Sequence, residues 1–194
     1  MQPWTRKVAM SGLRLRSELA AQEAAVLRGM VGSITEMLAE RGDAAPQDEL
    51  ADLTGLRTGH STPPEDDTLA RLLPDFHRTD LPPSDGSDAA AAGPDSAAAL
   101  RSLHEPTIIA QKRAAAAALL ATCPPRGGKV SLTPEEADAW LIAINDVRLS
   151  LGTVLEIDAD TPDELPEDDP RAGHLGVYHW LTWVQDSLVQ ALLP

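Results

Sequence analysis

The stretch 129-KVSLTPEEADAWLIAINDVRLSLGTVLEI-157 contains the clearest boundary between two elements in the chain. Residues 129–132 read as a short strand, and Thr133 follows as a helix N-cap with Pro134 at the first helical position. Glu136 stands three residues after Thr133, which completes a capping box in which each residue satisfies the other's backbone N–H. The sequence therefore predicts a strand that runs directly into a long helix.

Apolar residues of this helix recur at helical spacing on more than one side. Trp140, Ile144, Val147, Leu151 and Val154 line one face, and Ile142 and Leu149 cover another. A helix that is apolar around much of its circumference is typical of a buried position. We expect it to be central and buried on several sides.

The remaining elements are predicted outward from this helix. Residues 4–16 suit a β-hairpin around Ser11-Gly12, and a helix over 20–41 places Val26, Met30, Ile34, Met37 and Leu38 on its apolar face. Further helices are expected at 66–73, at 97–104, at 107–122 after a break at Pro106, and at 174–193. The predicted fold is mainly α, a helical bundle with a small antiparallel β-sheet made of the N-terminal hairpin and a strand at 129–132.

Length and composition favour one domain. The chain has 194 residues, of which 43% are hydrophobic, enough to bury a substantial core. Residues 82–96 are small, polar and rich in Pro and Gly, and residues 156–169 hold eight acids and no cation. We predict a single domain over 1–194 with flexible loops at about 82–96 and 156–173.

The charge balance argues against direct DNA binding. The net charge is −14, whereas affinity for duplex DNA comes largely from cationic side chains. The segment 49-ELADLTGL-56 resembles the opening of a helix-turn-helix, but residues 43–75 around it hold eight acids and two cations. The N-terminal cations Arg6, Lys7, Arg14, Arg16 and Arg28 either touch a phosphate backbone weakly or belong to an ordinary solvated hairpin. Direct DNA binding is expected to be weak or absent.

The sequence contains no motif for a catalytic, cofactor-binding or metal-binding site. The five histidines include no pair at three- or four-residue spacing, and neither a phosphate-binding loop nor a dinucleotide fingerprint is present. We therefore predict no catalytic residues, no cofactor and no metal, and hence no enzyme. Apolar runs are too short for a membrane helix and no signal sequence is visible, which predicts a cytoplasmic protein without a membrane partner.

Three polar residues and one thiol are the candidate site residues. Asp146 and Arg148 interrupt the apolar helix, and buried charges need partners: Lys112 or Arg113 for Asp146, and Asp186 for Arg148. Structural pairing is the first interpretation and a functional cleft the second. Cys123, the only cysteine, is the redox candidate: nearby Arg126 and Lys129 favour a thiolate, whereas its position at a helix C-terminus disfavours one.

Several segments together resemble an actinobacterial family of unknown function. They are ELADLTGL, DDTLARLLPDF, ALRSLHEP, KRAAAAALLATCP, LTPEEADAWLIAINDVRLSLGTVLEI and VYHWLTWVQDSLVQALL. The resemblance extends from Trp4 to Leu193 and is most specific over 132–157. Some members of the family are named as oxidative-stress transcriptional regulators.

The resemblance implies a cytoplasmic, non-enzymatic regulator that responds to oxidants and acts on transcription, with a sigma factor or RNA polymerase as its protein partner. An intramolecular disulfide switch does not carry over, because the chain has one cysteine. The alternative is an adaptor or structural interaction protein without a redox role, in which Cys123 is incidental. Both interpretations are compatible with a homo-oligomer.

Overall fold

The computed structural model describes residues 1–9, 12–46, 58–75, 94–166 and 168–193. In that part of the chain there are five helices and three strands, as predicted for a mainly helical protein. The strands are β1 (Thr5–Ala9), β2 (Gly12–Leu19) and β3 (Gly128–Leu132), and the helices are α1 (Ala21–Asp43), α2 (Asp67–Leu72), α3 (Pro94–Thr122), α4 (Pro134–Val154) and α5 (Ala172–Leu192).

The three strands form the predicted antiparallel sheet in the order β1-β2-β3. Leu15 of β2 lies opposite Leu132 of β3, and this register follows from the alternation of side chains. One face of the sheet buries Leu15, Leu19, Val130 and Leu132, and the other faces solvent. The prediction that the N-terminal hairpin pairs with residues 129–132 is confirmed.

Helix α4 begins with the predicted capping box. Thr133 Oγ1 accepts from the Glu136 N–H at 3.1 Å, and Glu136 Oε2 accepts from the Thr133 N–H at 2.7 Å. The helix buries Trp140, Ile144 and Val147, but Ile142 is 49% exposed and Val154 is 68% exposed. The expectation of burial on several sides is therefore wrong: α4 buries one broad face, whereas on the second apolar stripe Ile142 is exposed and Leu149 is half-buried.

Helix α3 continues through Pro106, where a break was expected. Proline cannot donate to the carbonyl four residues earlier, so the Ser102 carbonyl would lose its helical partner. The Gly59 N–H donates to that carbonyl at 2.7 Å, and Ser102 Oγ donates back to the Gly59 carbonyl at 3.2 Å. A distant loop thus supplies the hydrogen bond that proline removes, which is why the predicted break is absent.

The chain divides into two compact units. A large unit comprises Met1–Glu36 with Lys112–Pro194, and a small unit comprises Met37–Gln111. In the large unit Trp140 packs edge-on against Trp4, with ring centroids 5.4 Å apart, among buried leucines of the sheet and helices. In the small unit Leu38, Leu72, Leu73 and Ile109 are buried.

The predicted boundaries and loops are only partly within the described residues. The segment ELADLTGL at 49–56 lies outside them, as do residues 82–93 of the predicted loop 82–96; α3 begins at Pro94 and α5 at Ala172. The single domain over 1–194 and the flexibility of both predicted loops stay predictions.

Candidate functional site

Cys123 lies immediately after α3, in the interior of the large unit. Its side chain is 1% exposed. Arg28 of α1 reaches this helix end, where its Nη1 donates to the carbonyls of Leu120 at 2.5 Å and Cys123 at 2.7 Å. These carbonyls have no partner within the helix, so Arg28 acts as a C-terminal cap and also complements the negative end of the helix dipole.

The environment of Cys123 favours the thiol over the thiolate. Burial raises the pKa of Cys123, and the charge and hydrogen bonding of Arg28 offset that rise only in part. The cation beside Cys123 is Arg28, whereas the sequence pointed to Arg126 and Lys129. Because the thiolate is the reactive form, a buried thiol with a raised pKa reacts slowly with oxidants.

Asp146 is 4% exposed on the buried face of α4. Lys112 of α3 is the cation that meets it, with Nζ 2.5 Å from Asp146 Oδ1. Lys112 and Arg113 were the two candidates, and the structure brings Lys112 to the carboxylate. Burial raises the pKa of Asp146, although the hydrogen bond and charge of Lys112 act in the opposite direction. The pair joins α3 to α4 and gives the buried Asp146 carboxylate a cationic partner.

Arg148 binds neutral groups on α5 instead of the expected Asp186. Its Nε donates to Thr182 Oγ1 at 3.0 Å and its Nη1 to Gln185 Oε1 at 2.6 Å. The guanidinium carbon also lies 5.3 Å from the centroid of the Tyr178 ring, within reach of a cation–π interaction. Tyr178, Thr182 and Gln185 share one face of α5, so Arg148 fixes the register of the two helices.

Asp186 is exposed on α5, and within the described residues it forms no ion pair with Arg148. The side chains of Asp146, Arg148 and Asp186 therefore do not converge on one cleft. Asp146 and Arg148 each make interhelical contacts, which fits the interpretation of structural pairing.

The small unit contains a cluster of charged side chains that the sequence analysis missed. We call Arg41, Arg101 and Glu105 the ionic triad. Arg41 Nε donates to Glu105 Oε1 at 2.8 Å, and Arg101 Nη1 donates to Glu105 Oε2 at 2.8 Å. Glu105 and Arg101 are 2% and 3% exposed, respectively, and Arg41 is 12% exposed.

The ionic triad also holds backbone segments in place. Arg41 Nη2 donates to the Thr62 carbonyl at 2.7 Å, and Arg101 Nη1 to the Leu73 carbonyl at 3.1 Å. Arg101 Nη2 lies 2.5 Å from the exposed carboxylate of Asp75. The signal in the sequence was the four-residue spacing of Arg101 and Glu105, which places them on one helical face only if α3 continues past residue 104.

Two further features of the described residues bear on the class of protein. Among the described residues, no three His, Cys, Asp or Glu side chains are arranged to hold a metal ion. None of the helices described is both long and apolar enough to cross a membrane.

Comparison with known proteins gives a family and named relatives. Residues 1–192 match the domain of unknown function DUF2017. A protein of Mycobacterium tuberculosis and one of Mycobacterium bovis, both named oxidative stress regulator AosR, are each 47% identical to this chain over 190 residues, covering 98% of it and 87% of the relative.

A protein of Mycobacterium leprae, provisionally given the same name, is 45% identical over 195 residues, covering 100% of this chain and 89% of the relative. No solved structure gives a significant match. The family match extends over nearly the whole sequence and includes the strand-and-helix segment at 129–157. The chain therefore belongs to the DUF2017 family.

Proposed function

We propose that this protein is a non-enzymatic regulator of the oxidative-stress response that acts on transcription through a protein partner, a sigma factor or RNA polymerase. The observation that carries the proposal is the similarity, over 98% of the chain, to mycobacterial proteins named oxidative stress regulators. A cytoplasmic location belongs to the same proposal, since transcription takes place there in bacteria.

The charge of the chain supports action through a protein rather than through base contacts. A net charge of −14 opposes approach to the phosphate backbone, whereas it speeds encounter with a basic protein surface. The contacts of Asp146 and Arg148 support a non-enzymatic role, because both groups join α4 to neighbouring helices.

The adaptor without a redox role is favoured by one specific observation. Cys123, the sole thiol, is buried and its pKa is raised, so a direct thiolate sensor is disfavoured. On this alternative the protein contacts the same partners whatever the redox state. If Cys123 does take part in sensing, its oxidised form pairs with a thiol outside the chain, since no second cysteine is available to resolve it.

Affinity capture from oxidant-treated and untreated cells separates these functions. The regulator predicts that a sigma factor or RNA polymerase subunit is recovered and that its amount changes with oxidant. Comparison of the wild type with Cys123→Ser and Cys123→Ala then tests the thiol: a change that survives both substitutions places the oxidant response outside Cys123. Recovery of identical partners in every condition, with no polymerase or sigma subunit among them, would contradict the regulator and favour the adaptor.

A further inference from the structure

The outer sheet face carries most of the unpaired positive charge near the N-terminus. We define this face by Lys7, Arg14, Arg16, Glu18, Lys129 and Ser131, whose side chains alternate with the buried residues of β2 and β3. All are exposed except Arg14, which is half-buried. Of the other N-terminal cations, Arg6 donates to the carbonyls of Leu192 and Leu193, and Arg28 caps α3. The structure thus distinguishes Arg6 and Arg28, which hydrogen-bond to distant backbone carbonyls, from the cations of the outer sheet face.

Strand register brings like charges together on this face. Lys7 lies directly opposite Arg14, and Arg16 follows two residues later on the same side of β2. At the other end Glu18 lies opposite Lys129, which balances one cation. Within the described residues none of Lys7, Arg14 and Arg16 has a carboxylate at ion-pair distance.

One acid lies near Arg14 beyond ion-pair distance. Hydrogen bonds with backbone and with Thr133 at the start of α4 lower the pKa of Glu135, and the charge of Arg14 adds to that effect. The Glu135 carboxylate is thus already hydrogen-bonded at the start of α4. The Lys7–Arg14 pair remains a like-charge pair placed directly across a hairpin, an arrangement that destabilises the sheet. An anionic partner on this face would relieve the repulsion.

The face also has a concave surface. A depression of about 520 Å³ crosses the sheet, bordered by Pro3 and Thr5 on one side, Arg16 and Glu18 in the middle, and Lys129 and Val130 on the other. It combines apolar surface with charges of both signs at one end. Such a surface accepts a few side chains of a polypeptide, some acidic and some neutral.

We propose that the outer sheet face docks an extended acidic segment of a partner protein. Alternate side chains of an extended chain recur about every 6.6–6.8 Å on one side, which is also the spacing between Arg14 and Arg16 along β2. Carboxylates at alternate positions therefore match these two cations.

A nucleic-acid backbone fits this face less well than an acidic polypeptide. Duplex DNA carries about one charge per 1.7 Å, and the net charge of −14 repels so dense a polyanion at long range. Glu18 within the depression adds local repulsion against a continuous row of phosphates. A short acidic segment carries fewer charges and places neutral residues where Glu18 lies.

The experiment uses the purified full chain and a fluorescent peptide, Glu-Thr-Glu-Thr-Thr-Thr, about 20 Å long when extended; its two Glu side chains have the spacing of Arg14 and Arg16, and the next side chain on that face, a Thr, meets Glu18. Fluorescence anisotropy at about 0.02 M and about 0.15 M ionic strength measures the affinity and its screening. The decisive variant is Lys7→Glu, which converts the repulsive Lys7–Arg14 pair into an attractive one. Its matched control is Arg113→Glu, an exposed residue of α3 outside the sheet with the same change of net charge.

We expect the wild type to bind the peptide, more weakly at the higher salt. Lys7→Glu should raise the Tm, because the hairpin repulsion is removed, and should weaken peptide binding at least about fivefold, while Arg113→Glu binds like the wild type. Loss of binding in a variant of higher Tm cannot come from unfolding.

Three results would overturn the proposal: no peptide binding at low salt, equal weakening by Lys7→Glu and Arg113→Glu, or binding of a duplex DNA oligonucleotide in preference to the peptide. The inference rests on the proposed function only in requiring a protein partner. Since the peptide assay involves no transcription component, its failure is distinguishable from failure to capture a polymerase or sigma subunit.

Discussion

The two units of the chain fill their interiors with different chemistry. The large unit buries Trp140, Ile144, Leu181 and other apolar side chains, and its Lys112–Asp146 pair has an ammonium that still reaches water. The small unit buries the ionic triad, in which Arg101 and Glu105 are almost fully withdrawn from solvent. The interior of the large unit is thus mainly apolar with one partly solvated ion pair, whereas the interior of the small unit includes a nearly fully buried charge cluster.

The physical reason lies in what remains when one group is removed. An apolar side chain that is cut back leaves a cavity whose cost varies with local relaxation. A buried ion that loses its partner keeps its desolvation cost and loses the attraction that offset it. The small unit should therefore respond more sharply to single polar substitutions than the large unit does.

The largest expected effect is at the centre of the ionic triad. Glu105→Gln keeps the size of the side chain but removes the charge that Arg41 and Arg101 share. We expect the small unit to lose about 3–5 kcal/mol of stability. Native-state hydrogen exchange, read on the amides around residues 101–105, measures this locally.

The triple variant Arg41→Met, Arg101→Leu, Glu105→Leu is the control. Because it removes every charge of the triad together, it should cost less than Glu105→Gln alone, even though the carbonyls of Thr62 and Leu73 lose their donors. A loss below about 1 kcal/mol for Glu105→Gln would show that the triad is not what holds the small unit.

The next largest effect is at the contact that keeps α3 continuous. A Cβ added at Gly59 would lie 2.9 Å from both Cδ and Cγ of Pro106, too close for atoms of a rigid ring to accept. We expect Gly59→Ala to cost about 1–3 kcal/mol in a chemical-denaturation experiment.

Gly29→Ala is the matched control, since a Cβ there meets no atom within 4 Å and helix propensity favours alanine. The double variant Gly59→Ala, Pro106→Ala should recover part of the loss, because the clash is removed. Equal effects of Gly59→Ala and Gly29→Ala would argue against close packing at Pro106.

The Lys112–Asp146 pair tests the corresponding feature of the large unit. Lys112→Met leaves the Asp146 carboxylate without its cation, and we expect a loss of about 1–2 kcal/mol near neutral pH, less than for Glu105→Gln because Lys112 is partly solvated. Urea unfolding of both proteins as a function of pH gives the measurement.

The pH dependence has a definite sign. The pKa of Asp146 is raised in the folded protein, so protonation of Asp146 favours folding. This stabilisation is complete at a pH below the ordinary carboxyl pKa of about 3.9, and it is lost as the pH rises through the pKa of Asp146 in the folded protein. Lys112→Met raises the pKa of Asp146 further, so its stability deficit should shrink as the pH falls. A deficit that is constant with pH, or one that persists equally in Lys112→Met, Asp146→Asn, would assign the effect to packing.

Local signals explain what was predictable from the sequence. The capping box at Thr133, the N-terminal hairpin and the strand at 129–132 depend on residues a few positions apart, and the structure confirms them. The apolar face of α1 was predicted less well: Ala24, Leu27 and Val31 are fully buried, whereas Val26 and Met30 are half-buried, because the neighbours of a helix decide which stripe faces inward.

Contacts between distant residues explain what was missed. Nothing near Pro106 in sequence shows that Gly59 supplies a hydrogen bond to Ser102, so a helix break was the natural expectation. The same break hid the pairing of Arg101 with Glu105, and Arg28 lies far from Cys123 in the chain. The candidate residues were identifiable by type, and Lys112 was one of the two predicted partners of Asp146, but the partners of Arg148 depended on the tertiary fold.

The smallest expected effect tests the local side of the comparison. Thr133→Ala removes the oxygen that accepts from the Glu136 N–H at the start of α4, in the large unit. Because only the first turn is affected, we expect a loss of about 1 kcal/mol, with Thr133→Ser close to the wild type. Thermal unfolding of the three proteins measures the difference. A loss as large as that of Glu105→Gln would mean that the large unit, too, depends on a single polar contact, and the contrast between the two interiors would not hold.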